Sequence, residues 1–126
     1  MLGEKLDQHN SNCWLINTGW TEGAFPNGHR ISLKYTRAII SAILNNDFES
    51  VPFKKTGVFN LAIPASCNGV PTEILDPVNT WTDSDEYHLQ ADKLANLFTT
   101  NFNKYSAEAS PGTLAAAPQT LTSVVI

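Results

Sequence analysis

The stretch that decides the fold is residues 14–37, WLINTGWTEGAFPNGHRISLKYTR. An apolar run, Trp14-Leu15-Ile16, stops at Asn17-Thr18-Gly19, and a turn-rich loop follows. Arg30 comes next, then a helix carrying Thr36 and Arg37. Strand, glycine loop, cationic residue and helix start is the order in which α/β proteins assemble a nucleotide site. Backbone N–H groups at a helix start, beside a guanidinium, favour anionic or hydrogen-bonding ligands.

Cys13 to Thr18 reads as a strand buried on both faces, because the run is apolar throughout and bounded by turn residues. Trp20 to His29 reads as loop, since Gly23, Pro26, Asn27 and Gly28 sustain neither helix nor ladder. Ser32 is the expected N-cap of a helix reaching Asn45 or Asn46, with Tyr35, Ile39, Ala42 and Ile43 on its inner face. Upstream, Leu2 to His9 reads as the end of an amphipathic helix that breaks at Asn10-Ser11-Asn12. Downstream, a strand is expected over Val58 to Ile63, ended by Pro64. Gly69 to Trp81 is a connection punctuated by Pro71 and Pro77, with little regular structure expected. Asp83 and Glu86 spell a D-x-x-E capping box for a last helix whose apolar face is Tyr87, Ala91, Leu94, Phe98 and Phe102. From Ser106 the sequence has low complexity and no period, so a mobile tail is expected, whose Leu121–Ile126 end has the composition to join a sheet edge.

Gly23 to Arg30 nearly spells the phosphate loop G-x-x-x-x-G-K-[ST]. That loop needs a lysine for the β- and γ-phosphates and a hydroxyl for Mg²⁺. His29 and Arg30 occupy those places, so neither task can be done. The acidic group Asp83, Asp85 and Glu86 is explained by capping, Asp76 by a turn, and Trp14, Trp20 and Trp81 by packing. No Ser-His-Asp or Cys-His order is supported.

A chain of 126 residues is one domain's worth of core. Its net charge of −4 and pI near 5.2 argue against a nucleic-acid partner. Only 16% of residues are charged, which suits a piece that packs against more protein as well as it suits a small polar protein rich in Asn and Thr. Cys13 and Cys67 form no disulfide framework and read as reduced apolar residues. His9, His29 and His88 lack zinc-site spacing. No apolar run is long enough for a membrane span, no signal peptide is evident, and the cytoplasm is the default location.

The residues carry a resemblance beyond pattern. WLINTGWT (14–21), RISLKYTRAII (30–40), VFNLAIP (58–64), GVPTEILDP (69–77) and NTW (79–81) occur in the order found in the C-terminal part of ATP-dependent phosphoenolpyruvate carboxykinases. The resemblance runs from about Leu2 to about Tyr105. It implies an α/β fragment of the family's mononucleotide-binding domain over 1–105, with a few strands, two main helices and an irregular tail over 106–126. The family's enzymes are several times longer, so Met1 is expected to be an internal position or a truncation point. The implied reaction is conversion of oxaloacetate and ATP to phosphoenolpyruvate, CO₂ and ADP in gluconeogenesis. Carried over residue by residue, Arg30, Ile31 and Thr36 would hold ATP near its adenosine end. The family's Mg²⁺ and Mn²⁺ ligands, phosphate loop and oxaloacetate-binding residues match no part of this chain, so no catalytic residue is assigned, and the missing N-terminal portion is an implied partner. Where the family has Gly-Gly, this chain has Glu22-Gly23, and Pro26 replaces a glycine. Without the resemblance, Arg30 and Thr36 also suit a plain helix-start surface. Two further readings stay open: a non-catalytic remnant that binds a partner through uncovered apolar surface, and a small adenine-nucleotide sensor.

Overall fold

The computed structural model describes residues 1–120; the expected sheet-edge role of Leu121–Ile126 lies outside them. Leu2 and Leu6 lie one turn apart in α1 (Leu2–His9), which ends where Asn10 turns left-handed at φ 48°, a conformation asparagine tolerates well. Helix α2 (Leu33–Leu44) begins at Ser32 as expected. Ser32 caps it through its carbonyl, which accepts from Tyr35 N and Thr36 N at 3.0 and 3.2 Å; its hydroxyl makes no capping bond.

The inner face of α2 organises the first of two small cores. Ala42, Phe48, Cys67 and Val70 are buried together, with Tyr35, Ala38, Ile39 and Ile43 packed around them. Phe48 arrives on a 3₁₀ turn, Asp47–Ser50, entered through left-handed Asn46. Trp14 closes over it, ring centroids 5.3 Å apart.

Strand pairing is antiparallel throughout the described residues, in two two-stranded sheets. Strands β1 (Trp20–Thr21) and β2 (His29–Arg30) pair with Trp20 opposite Arg30. Strands β3 (Phe53–Lys55) and β4 (Ala62–Pro64) pair with Lys54 opposite Ile63. Four expectations change here. Trp20–His29, expected as loop throughout, pairs its two ends as β1 and β2, because the Gly, Pro and Asn residues that rule out a ladder are confined to the turn between them. Cys13–Thr18 forms no strand: Leu15 is 83% exposed and the segment finds no ladder partner among the described residues. The strand expected over Val58–Ile63 is confined to its end, because Asn60 is left-handed (φ 51°) and Thr56 N bonds Leu61 O across a turn. Gly69–Trp81 holds a short helix, α3 (Thr72–Leu75), and a 3₁₀ turn, Pro77–Thr80. Proline at a first helical position pre-sets φ, so Pro77 starts a turn in a connection expected to hold little regular structure. Lys54 and Asp76 form an ion pair that ties β3 to this segment.

Asp83 caps α4 (Ser84–Phe102): its Oδ1 accepts from Asp85 N at 2.8 Å and Glu86 N at 3.3 Å. The buried side of α4 is narrower than the expected stripe. Ala91 and Ala95 pack on Val58, with Phe59 and Tyr87 beside them, while Leu94 and Phe98 are 42% and 54% exposed. Small alanines let the turn bearing Val58 approach the helix axis, and Phe59 meets Phe98 edge-on with centroids 6.1 Å apart without covering it. The segment from Ser106 holds more local order than its composition announced. Ser110 caps α5 (Pro111–Ala115) by accepting from Thr113 N, and Gln119 N donates to Val58 O at 2.8 Å.

Among the described residues seven apolar side chains are buried, none of them large and fully enclosed. The accessible surface is 9668 Å², whereas a compact chain of 13.8 kDa exposes about 6,600 Å². The excess of about 3,000 Å² exceeds the ~950 Å² that six fully exposed residues contribute. No helix among the described residues is long and apolar enough to cross a membrane.

Replacing Asp83 with alanine removes the α4 cap and is expected to cost about 1 kcal/mol of stability. Urea unfolding followed by helical circular dichroism checks this; an unchanged midpoint would contradict the capping role.

Candidate functional site

The site is built on the hairpin β1–β2. Asn17 sets it up: its Oδ1 accepts from Gly19 N at 2.9 Å, and Gly19 O then accepts from Ile31 N at 2.9 Å. That pair of bonds brings the end of the loop back beside its beginning. Within the loop, Ala24 O accepts from Asn27 N and Gly28 N, and the Phe25–Pro26 peptide is cis. The Phe25 ring lies 5.4 Å from Trp20.

Two backbone positions fix the loop's shape. Glu22 is left-handed at φ 65° and Gly23 follows at φ 142°. A glycine at position 22 would meet this requirement freely; glutamate meets it at a cost of about 1–3 kcal/mol. Glu22 Oε1 lies 3.3 Å from His29 Nε2 across the hairpin, a contact that becomes an ion pair when the imidazole is protonated. Gly28 is required for space: a Cβ there would collide with the Thr21 carbonyl oxygen and sit 2.5 Å from that of Gly23. His29 is engaged with Glu22, so it takes no part in a phosphate loop.

Arg30 is exposed on β2 and has no ion-pair partner among the described residues. Ile31, next to it, is half-buried. Thr36 is buried at 6% exposure inside the early part of α2. The three residues thus follow one another along the β2–α2 junction, with a free guanidinium outermost and the hydroxyl-bearing residue innermost. None of the three lines either of two clefts on the described surface. The larger cleft, about 490 Å³, lies between the loop (Glu22, Gly23, Asn27) and the start of α4 (Trp81, Asp83, Glu86). The smaller, about 150 Å³, lies between Lys54 and Asp76. Sequence reasoning missed the larger cleft, because it joins segments some sixty positions apart. Thr21 Oγ1 donates to Thr80 Oγ1 at 3.2 Å, and Thr80 in turn donates to Pro77 O; neither hydroxyl stands out in the sequence.

Titratable groups offer little nucleophilic chemistry. Burial, reinforced by the negative charge of Asp47, pushes the Cys67 thiol up. Burial and Asp76 push the Tyr87 phenol up. Both hold their protons more tightly when folded, so the fold loses stability as alkaline pH passes through the ordinary thiol and phenol range. Cys13, expected in a buried strand, is exposed. His88 Nδ1 is buried without a hydrogen-bond partner. Among the described residues, no group of three or more His, Cys, Asp or Glu side chains could hold a metal ion.

Over residues 1–73 the chain matches the family described as phosphoenolpyruvate carboxykinase. It is 54% identical over 104 residues to phosphoenolpyruvate carboxykinase (ATP) of Fusobacterium nucleatum subsp. nucleatum, covering 82% of this chain and 20% of that protein. It is 49% identical over 118 residues to the protein of the same name from Dictyostelium discoideum, covering 94% and 21%. The match to that of Caldanaerobacter subterraneus subsp. tengcongensis is 50% over 105 residues, covering 83% and 20%. The chain belongs to the phosphoenolpyruvate carboxykinase family. It spans about a fifth of the length of these curated relatives.

Gly28→Ala is expected to lower stability by about 1–3 kcal/mol, the usual cost of overpacking. Gly57→Ala, where an added Cβ meets nothing within 4 Å, should stay within about 0.5 kcal/mol. Thermal unfolding of the two variants checks the contrast, and equal shifts would refute it. Thiol labelling at pH 8 should modify Cys13 well before Cys67; equal rates would contradict the burial of Cys67.

Proposed function

We propose that this chain supplies the adenosine-side wall of the ATP site in an ATP-dependent phosphoenolpyruvate carboxykinase. The reaction is decarboxylation and phosphorylation of oxaloacetate, giving phosphoenolpyruvate, CO₂ and ADP, in cytoplasmic gluconeogenesis. One observation carries the reading: 49–54% identity to enzymes of that name across most of this chain. In this reading residues 1–105 are the end of the mononucleotide-binding domain and 106–126 an appended tail.

Arg30 has the chemistry for the task. A planar guanidinium without an ion-pair partner can stack on a purine or donate in-plane hydrogen bonds. Ile31 offers an aliphatic wall beside it, and Thr36 a hydroxyl a helical turn away. A pocket of this type needs apolar walls with few polar contacts. The described residues supply one wall and no enclosure, so the remaining walls belong to the portion of the relatives this chain does not span.

Phosphoryl transfer also needs divalent metal and cationic residues around the γ-phosphate. The donor set here does not fit Mg²⁺ or Mn²⁺, since no suitable cluster of ligands exists among the described residues. The near-phosphate loop lacks its lysine as well. The chain therefore positions a nucleoside and performs no chemical step by itself. A second reading, a non-catalytic module that binds a partner, draws support from the surplus of exposed apolar surface at Leu15, Leu89 and Phe98.

A coupled assay with oxaloacetate, ATP, Mg²⁺ and Mn²⁺ is expected to show no turnover by the isolated chain; turnover would overturn that part of the reading. Grafting the chain onto the Fusobacterium relative in place of its matching region should retain activity. In that chimera Arg30→Ala should raise KM for ATP by about 2- to 30-fold, the loss of a contact worth about 0.5–2 kcal/mol. KM for oxaloacetate should stay unchanged. An unaltered KM for ATP would remove Arg30 from the site.

A further inference from the structure

Thr21 and Thr80 lie 59 positions apart in the chain, and their hydroxyls meet at 3.2 Å. Thr80 Oγ1 also donates to Pro77 O at 2.8 Å. A hydroxyl carries one proton, so a threonine that donates to a carbonyl can only accept from its other neighbour. The order is therefore fixed: Thr21 donates to Thr80, and Thr80 donates to the Pro77 carbonyl. Both threonines are half-buried, where the lower dielectric strengthens each bond and bonds in series polarise one another.

The accepting end of this relay is firmly held. Thr80 closes the 3₁₀ turn Pro77–Thr80. Asn79 N bonds Asp76 O at 3.0 Å, and Asp76 pairs with Lys54 of β3. Beyond Thr80, Trp81 meets the Tyr87 ring edge-on, centroids 5.7 Å apart, and Asp83 caps α4.

The hairpin β1–β2 is the weaker party. Each strand has two residues, and a two-stranded hairpin by itself is marginal in water. Its bonds from Ile31 N to Gly19 O, and from Asn27 N and Gly28 N to Ala24 O, all lie within residues 19–31. They set the shape of the loop and leave its position open. Helix α2 holds the β2 end from Leu33 onward; Thr21 holds the β1 end.

The larger cleft shows what the bond keeps in register. One wall begins at Glu22 and the other at Trp81, each one residue beyond its threonine. The two chain segments part at the hydroxyl pair. Trp20 stands opposite Arg30 and Thr21 opposite His29, and a Cβ at Gly28 would collide with the Thr21 carbonyl oxygen. A displacement of Thr21 therefore carries the guanidinium-bearing strand with it.

The geometry points to Thr21 and Thr80 as positioning residues of the Arg30 nucleotide site, acting through β1 and not by contact with the nucleotide. The assignment of ATP to Arg30 rests on the functional reading above; the hydroxyl relay does not.

The test has one arm in the full chain and one in the Fusobacterium chimera. In the chain alone, Thr21→Val and Thr80→Val should each speed hydrogen exchange of the Ile31 amide about 2- to 10-fold, the worth of one net hydrogen bond. Thr80→Ser should leave it unchanged. In the chimera each valine variant should raise KM for ATP about 2- to 10-fold, with kcat and KM for oxaloacetate unchanged. The double variant should be no worse than Thr80→Val alone, because both substitutions remove the shared bond. Thr80→Ser should restore the parent KM. Ser110→Ala, which removes the α5 cap, should lower stability and leave KM for ATP as it was.

An unaltered KM for ATP in both valine variants overturns the inference. So do additive effects of the two valines, or a KM that rises equally with Ser110→Ala, which would mark a general loss of stability. Failure of the nucleotide reading looks different. Arg30→Ala would then leave KM for ATP unchanged while the valine variants still speed exchange at Ile31, and the relay would have no site to position. An effective Arg30→Ala beside silent valines would keep the nucleotide site and remove the positioning role.

Discussion

The packing of Phe48 is the contact on which the rest of the described structure depends. It is 5% exposed and meets Ala42 of α2, Cys67 and Val70 in one cluster. The rings of Trp14 and Phe53 stand 5.3 and 6.3 Å away. Through these neighbours one side chain joins the segment before the loop, the helix after it and the hairpin β3–β4. The loop geometry at Arg30 follows, because Asn17 and α2 are anchored on either side of it. The second cluster, around Ala95, is smaller and has no such hub.

Locally determined elements were legible in the sequence. The apolar spacing of Tyr35, Ile39 and Ala42 located α2, and the side chain of Asp83 located the start of α4, because spacing and caps are properties of neighbouring residues. Pairing was less legible. Lys54 and Lys55 look like surface residues, yet they occupy β3, where Ile63 and Ala62 supply the opposite strand. The run 13–16 has the composition of a buried strand, but burial requires a second backbone, and no part of the described chain provides it. Leu94 and Phe98 stay exposed because the one ring that meets this face, Phe59, covers only part of it. Ser110-Pro111 did carry a readable start signal for α5, a hydroxyl cap ahead of a proline. The candidate site was legible as residue types and as a resemblance. Its placement on an open junction, with Thr36 buried and Arg30 free, was not.

Glu22 shows how the loop keeps its shape when its preferred residue changes. Hairpin register, the Gly28 contact and the Ala24 turn each hold the backbone, so the left-handed position persists under a side chain that disfavours it. The carboxylate then faces His29, and both side chains remain partly in water, where such pairs add little stability. The loop conformation thus owes more to its closure by Asn17, Gly19 and Ile31 than to the identity of residue 22.

The hydrogen bond from Gln119 to Val58 has a consequence for how the chain leaves the ribosome. Every member of the Phe48 cluster and every residue packed on it, Trp14 included, lies at or before residue 75, so that nucleus can condense while later codons are still being read. The Val58 turn must wait for α4, and its carbonyl stays wet until the emerging polypeptide has delivered residue 119. Nascent chains stalled before that point would carry one finished core and one unsealed.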